Sequence, residues 1–429
     1  MKISKTNWLE PINFAQKIAQ NCQGDWVFLY SGLDRKSQEV FSYLALFPEE
    51  NFSFDKFNQL QKLFKNQDYQ LFGYISYEAL RDIEDIKTTQ KNSINFEAIN
   101  FIKFGAIVKF CHKTRQISIS YSQDHYLSQI DDYLKTSLHP KIPNLHVKNI
   151  ESNFSDQSYL SAIDSIKQQI ASGEFYQINL TRKFFGKLQK TYQNDEIFAN
   201  FVKLCQISPA NYASFLKIGE KSILSSSPEL FLKIKDNLVI SKPIKGTSPR
   251  SDDVTQDQDN KNYLKNSEKE RAENLMIVDL VRNDLSQICK SNSVKVDSLF
   301  DVDSYATIHH MSSQISGVLP VKASVIEAIK ATFPAGSMTG APKIAAMQQI
   351  ANYEKLDRGI YSGAIGFISQ NEVNLSVVIR TLIIEDNQFE FQVGGAITYD
   401  SDPKQELAEI YNKAQAIFKL LKTTNHHSQ

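Results

Sequence analysis

The chain has 429 residues, 48 basic and 48 acidic side chains, 41% hydrophobic and 11% aromatic residues, and so no formal net charge. Such a length suits one large domain or two to three of roughly 100–200 residues, each able to bury a core. Zero net charge argues against a protein that coats nucleic acid, and ordinary apolar content argues against a disordered chain. Cys22, Cys111, Cys205 and Cys289 lie far apart with no C-x-x-C pair, so they read as reduced, mostly buried thiols and not as a zinc or redox motif. The opening MKISKTNWLEPINF lacks an apolar run of signal length, and no stretch of about 18 apolar residues occurs. No membrane span is expected, and the cytosol is the expected compartment.

In chain order, short β-like runs at 26–30, 71–77, 104–110 and 117–121 alternate with polar stretches. Residues 139–156 hold two prolines and little periodicity, which predicts a linker or a crossing between two halves. Leu160, Ile163, Ile166 and Ile170 then recur at helical spacing, with Gly173 as the stop. Tyr176, Ile178 and Leu180 alternate with Gln177, Asn179 and Thr181, predicting a half-buried strand with a polar face. Further strands are expected at 211–216, 230–235 and 373–384, and helices at 268–290, 325–331 and 404–421. Many strands with helices grouped between them predict α+β layers. The chain divides into an N-terminal region over 1–150, a second region over 151–422 and a frayed tail over 423–429.

The strongest unaided signal is a repeated E-x-x-E, Glu270 with Glu273 and Glu406 with Glu409. Residues three apart share a helix face, so each pair projects two carboxylates together. At about 100° per residue, Ile277, Val281 and Ile288 fall within roughly 20° of Glu270. Glu406, Glu409 and Lys413 share a sector of about 60° beside Ile410, Ala414, Ile417 and Leu421. Carboxylates on or beside a buried face need a cation or donors, and four converging ones suit Mg²⁺, a hard ion that takes oxygen ligands. The same residues also satisfy a plainer reading. Ser267-x-x-Glu270 is a capping box, Glu409 with Lys413 an i,i+4 pair, and Asp402-Pro403 a helix start.

Residues 333–350 (FPAGSMTGAPKIAAMQQI) form a small-residue loop entering a helix, either an anion site at free N–H groups or a simple cap. Residues 393–403 (VGGAITYDSDP) read as a second turn, where Gly394 and Gly395 would let backbone approach a ligand. Lys245, between Pro243 and Pro249, is either a solvated surface group or, if desolvated, a nucleophile or base. His309 and His310 match no metal pattern and default to structural roles. Arg380 lies within the apolar run LSVVIRTLII and needs an anionic partner, from the protein or from a substrate.

Taken together these segments resemble the chorismate-utilising enzymes, which include anthranilate synthase component I, aminodeoxychorismate synthase component I, isochorismate synthase and salicylate synthase. The matching motifs are GEFYQINLTR, SSSPELFL, PIKGTSPR, AENLMIVDLVRNDL, HHMSSQISG, FPAGSMTGAPK, GIYSGAIGFIS, IRTL and GGAITYDSDPKQELAEIYNKA, in the family's order. FGYISYEALRDIE is the best match in the weaker N-terminal region. The resemblance implies a large two-layered α/β sandwich of the anthranilate synthase component I type, with the active site between its layers.

Residue by residue, the resemblance implies that Glu273 and Glu409 are direct Mg²⁺ ligands, with Glu270 and Glu406 acting largely through water. Arg380, Tyr361, Lys413 and the Gly394–Gly395 backbone match groups that hold the substrate's carboxylates. Glu229 matches a general acid, His310 an active-site histidine, and Thr339 with Gly340 a substrate-facing loop. Gln177 stands where the water-using branches carry a lysine base, which makes ammonia the expected nucleophile. Lys245 in P-I-K-G-T is the mark of the branch that forms 4-amino-4-deoxychorismate, through attack of this lysine on the ring. A separate glutamine amidotransferase subunit is the implied ammonia source. The alternatives are the anthranilate-forming branch and a regulatory subunit without catalysis. One departure stands out: a third glycine is usual where this chain has Ala396, which would matter if that position needed a positive φ.

Overall fold

A computed structural model describes residues 1–31, 40–64, 69–86, 94–138, 143–305 and 308–423. The α+β class and the sandwich-like sheet core are as expected. Among the described residues one almost wholly antiparallel sheet of 21 strands runs through the chain, with helices packed against it. Strands from the first 150 residues pair with strands from the rest. Trp26–Tyr30 lies beside Tyr212–Ile218, and Leu71–Ile75 beside Ala364–Ile368. The largest buried cluster draws on both regions as well, joining Phe14, Trp26 and Phe110 to Phe215, Phe391 and Ile410. Among the described residues no helix is long and apolar enough to cross a membrane.

Several boundaries differ from the expectations. The 139–156 segment is not a linker. Its residues 139–142 lie outside the described ones, but Leu145–Ser152 is a strand that pairs with Gln177–Leu188 and lies parallel to Leu421–Thr423. Its polar side chains point to solvent while Leu145 and Val147 are buried, and this short amphipathic alternation is masked by the flanking prolines. The 373–384 run is two strands, Glu372–Val377 and Thr381–Glu385, with Arg380 at the break in a left-handed conformation (φ 51°). The Gly394–Gly395 pair is not in a turn but inside the strand Gln388–Ile397. Ala396 lies in that same strand with no positive φ, so alanine there costs nothing. The polar face of Gln177–Leu188 is buried, not solvated: Gln177, Asn179 and Thr181 are all inside the protein. Of the cysteines, all free, Cys22 alone is buried and the other three are partly exposed. In the tail, residues 424–429 lie outside the described ones.

Candidate active site

Two helices bring the carboxylates together. Glu268–Ser286 begins at Ser267, whose hydroxyl accepts from the Glu270 backbone N–H. The Ser267 N–H goes to Tyr263 O, so the expected capping box is only half formed and the Glu270 carboxylate is left for the acidic pair. Pro403–Phe418 begins at Asp402, which caps Gln405 N. Ile277 and Val281 on the first helix, and Ile410, Ala414 and Ile417 on the second, are buried and fix which way each helix faces. The stripes thereby turn Glu270, Glu273, Glu406 and Glu409 toward one cavity of about 220 Å³. Glycines make room for them. A Cβ on Gly246 would stand 2.7 Å from Glu270 Oε2, and one on Gly395 3.2 Å from Glu406 Oε2. Among the described residues, no hydrogen bond is donated to the carboxylates of Glu270 or Glu273, and no three acidic, histidine or cysteine side chains stand close enough to hold an ion as placed.

The remaining walls come from strands. Lys245 projects from Ile244–Pro249, which pairs with the strand carrying His310 in the register Thr247↔His310. Glu229 precedes the strand Leu230–Lys235, and Ser337 Oγ donates to its Oε1 at 2.5 Å. Arg380, turned out of the sheet by its left-handed backbone, makes no ion pair among the described residues; its Nη2 lies 3.5 Å from His310 Nε2. A left-handed arginine costs on the order of 1 kcal/mol, so its conformation points to a role inside the cavity. Lys413 Nζ binds Glu409 at 2.6 Å and Gly394 O at 2.9 Å. Tyr361 completes the wall.

Burial dominates the electrostatics. It raises the proton affinity of Glu229 to about 7, against the opposing pull of Ser337, Lys245 and Arg380. It lowers His310 to about 3, with Arg380 and Lys413 adding to the effect, so the imidazole is neutral. It lowers Arg380 to about 10, still charged at neutral pH. Lys245 is lowered by burial and opposed chiefly by Glu273. Glu270, Glu273 and Glu406 are raised by burial, whereas Lys413 holds Glu409 down. A raised acid beside a lowered amine is the pattern of paired acid and nucleophile.

Eleven of the expected site residues line this cavity: Lys245, Glu229, His310, Arg380, Lys413, Tyr361, Gly394 and the four glutamates. Four do not. Gly395 lies behind Glu406, and Gln177 is buried outside the wall with neither amide atom bonded. Thr339 bonds Ala335 O and Gly336 O instead of facing the space, and Gly340 pairs with Ile178. The sequence reading missed Asn179, Lys269, Ser337 and Gln392, which do line it. It also missed the pair behind the wall. Glu354 and Arg358 are 3% and 1% exposed, and Arg358 donates to Met338 O and Asn179 O, both at 2.8 Å. Glu354 accepts from Arg358 Nε at 2.9 Å and from Thr181 Oγ1 at 2.7 Å. Removing one partner of such a pair strands a buried charge. Glu354→Ala is therefore expected to destabilise the fold by about 3–5 kcal/mol in urea titrations.

A family model described as chorismate binding enzyme matches residues 46–419, most of the chain. The chain belongs to the chorismate binding enzymes. Among these relatives, aminodeoxychorismate synthase of Streptomyces griseus is 42% identical over 286 residues, 66% of this chain and 39% of that protein. Aminodeoxychorismate synthase component 1 of Bacillus subtilis is 30% identical over 83% of this chain and 78% of its own length. The solved anthranilate synthase component I of Streptococcus pneumoniae superimposes with a TM-score of 0.78 at 25% identity, covering 90% of this chain and 94% of that one. The chain spans well under two thirds of the length of the first of these relatives. The family match begins at residue 46, so it takes in N-terminal strands such as Leu71–Ile75 as well as the cavity.

Proposed function

We propose that this chorismate binding enzyme acts as aminodeoxychorismate synthase component I, converting chorismate and ammonia to 4-amino-4-deoxychorismate for p-aminobenzoate and folate. The observation that carries the reading is Lys245, which reaches a cavity shared with Glu229 and Glu273 and whose ammonium form is disfavoured by burial. In this reading residues 1–150 supply supporting strands and 151–422 the catalytic groups. Arg380 and Lys413 bind the two carboxylates of the substrate, and the neutral His310 orients Arg380. The neutral Lys245 amine bonds to ring C2 while the ring double bonds shift and the C4–O bond breaks. Glu229 gives its proton to the departing oxygen, which leaves as water. Ammonia then bonds to C4, the double bonds shift back and the C2–N bond breaks, freeing Lys245. The C4 ammonium loses a proton, which returns to Glu229. Gln177, buried outside the cavity wall and not basic, offers water no base.

The four glutamates fit Mg²⁺ by donor chemistry, since they are all-oxygen, three of them (Glu270, Glu406 and Glu409) lie against glycines, and two carboxylates accept no hydrogen bond among the described residues. Bound there, the ion would neutralise a substrate carboxylate and the like charges around it. Ammonia would come from a separate glutamine amidotransferase subunit, because this chain presents no recognisable glutaminase triad. The purified chain should turn over chorismate with Mg²⁺ and ammonium but not with glutamine, giving the 4-amino product by mass spectrometry. Anthranilate as main product would sink the reading, and glutamine-dependent turnover by this chain alone would sink the separate subunit.

A further inference from the structure

We propose that Ser337 is a positioning residue for the leaving-group acid: its hydroxyl, donated to Oε1, holds the Glu229 carboxyl so that the other oxygen carries the transferred proton. This rests on Glu229 acting as that acid. Ser337 sits on the single 3₁₀ turn Gly336–Met338 and is buried. The turn has little freedom to move. Met338 N donates to Ala335 O at 3.0 Å, Arg358 Nη1 binds Met338 O at 2.8 Å, and a Cβ on Gly336 would meet Leu280 Cδ2 at 2.7 Å. Ser337 and Glu229 also wall a second, small cavity of about 20 Å³ with Ser241, Asp284 and Thr332, so the pair separates the two spaces.

The other groups facing Glu229 are Lys245 from one strand, the backbone of Ile244, Arg380 from the strand break and the Tyr361 phenol. Asp284, paired with Lys343 at 2.5 Å, lies across the small cavity. A hydroxyl donated to a carboxylate favours its charged form, so Ser337 opposes the effect of burial on Glu229. Losing that bond makes the acid hold its proton to higher pH. A general acid works while protonated, so Glu229 sets the limb on which rate falls as pH rises.

The test is the pH profile of kcat/KM for chorismate at fixed free ammonia. Ser337→Ala should move the high-pH limb upward by about one unit and lower kcat by about tenfold, with KM for chorismate within about twofold. Ser337→Thr, which keeps the hydroxyl, should leave the limb in place. A purely structural serine would lower the rate at every pH without moving the limb, and that result overturns the proposal. Glu229→Gln tests the underlying reading separately: if the high-pH limb survives in that variant, Glu229 is not the acid.

Discussion

Lys245→Ala is expected to lower formation of the 4-amino product by at least about 10³-fold while chorismate still binds. The amine must be neutral to attack, and an unperturbed lysine is almost wholly charged at pH 7. Burial and the nearby Lys413 push its proton off, while Glu273, Glu229 and Glu409 hold it on. Neutralising Glu273 therefore helps the nucleophile. The reaction needs Lys245 neutral and Glu229 protonated together, so the wild-type rate should be bell-shaped in pH. Lys245→Arg separates the two jobs the side chain could do. Arginine keeps the charge but cannot shed a proton near neutrality, so it should be as inactive as alanine if Lys245 is a nucleophile. A purely electrostatic lysine would be rescued by arginine. Acid quench and peptide mass analysis should also find, on wild-type Lys245, an adduct of chorismate less water. Wild-type rates of the 4-amino product from Lys245→Ala would refute the nucleophile.

The parts of this site that the sequence discloses are those where chemistry coincides with periodicity. Glu270 and Glu406 continue or border apolar stripes, and a carboxylate in that position signals a helix facing something polar. Arg380 is legible for a related reason, since an arginine in an apolar run must face an anion. Its mechanism is different from the expectation, however: a strand break and a positive φ, which no local propensity announces, aim the side chain. Ser337, Asn179 and Gln392 carry no such signal, because short polar residues are common in loops and strands. Their roles depend on which distant element they meet. Ser337 finds Glu229 from 108 residues away, and Arg358 finds Asn179 from 179 away. The Leu145–Ser152 strand was hidden similarly, because its pairing partner lies beyond an intervening helix. Gln177 shows the converse. Motif position placed it at the reaction, yet its side chain is buried outside the cavity wall.

Chelation should abolish turnover, and Mg²⁺ should restore it in the wild type but not in Glu273→Gln or Glu409→Gln. Loss of one ligand is expected to cost at least about 10²-fold in kcat/KM. Stability provides a readout that does not pass through the reaction. Burial raises Glu273's proton affinity, and the neighbouring Glu270 and Glu409 add to it. A carboxyl held above its unfolded value binds its proton more tightly when folded, so its contribution to stability falls as pH climbs from the ordinary carboxylate range through the raised value. At pH above that raised value the metal-free protein bears the cost in full. Glu273→Gln removes it, so this variant should melt at a higher temperature than metal-free wild type. Saturating Mg²⁺ should raise the wild-type melting temperature, because the ion binds the folded chain and not the unfolded one. The shift should vanish in Glu273→Gln and shrink in Glu406→Gln, whose carboxylate already accepts from Ser401 Oγ at 2.7 Å. Full activity in excess chelator would refute the metal site. An unchanged Mg²⁺ shift in Glu273→Gln would place the ion elsewhere.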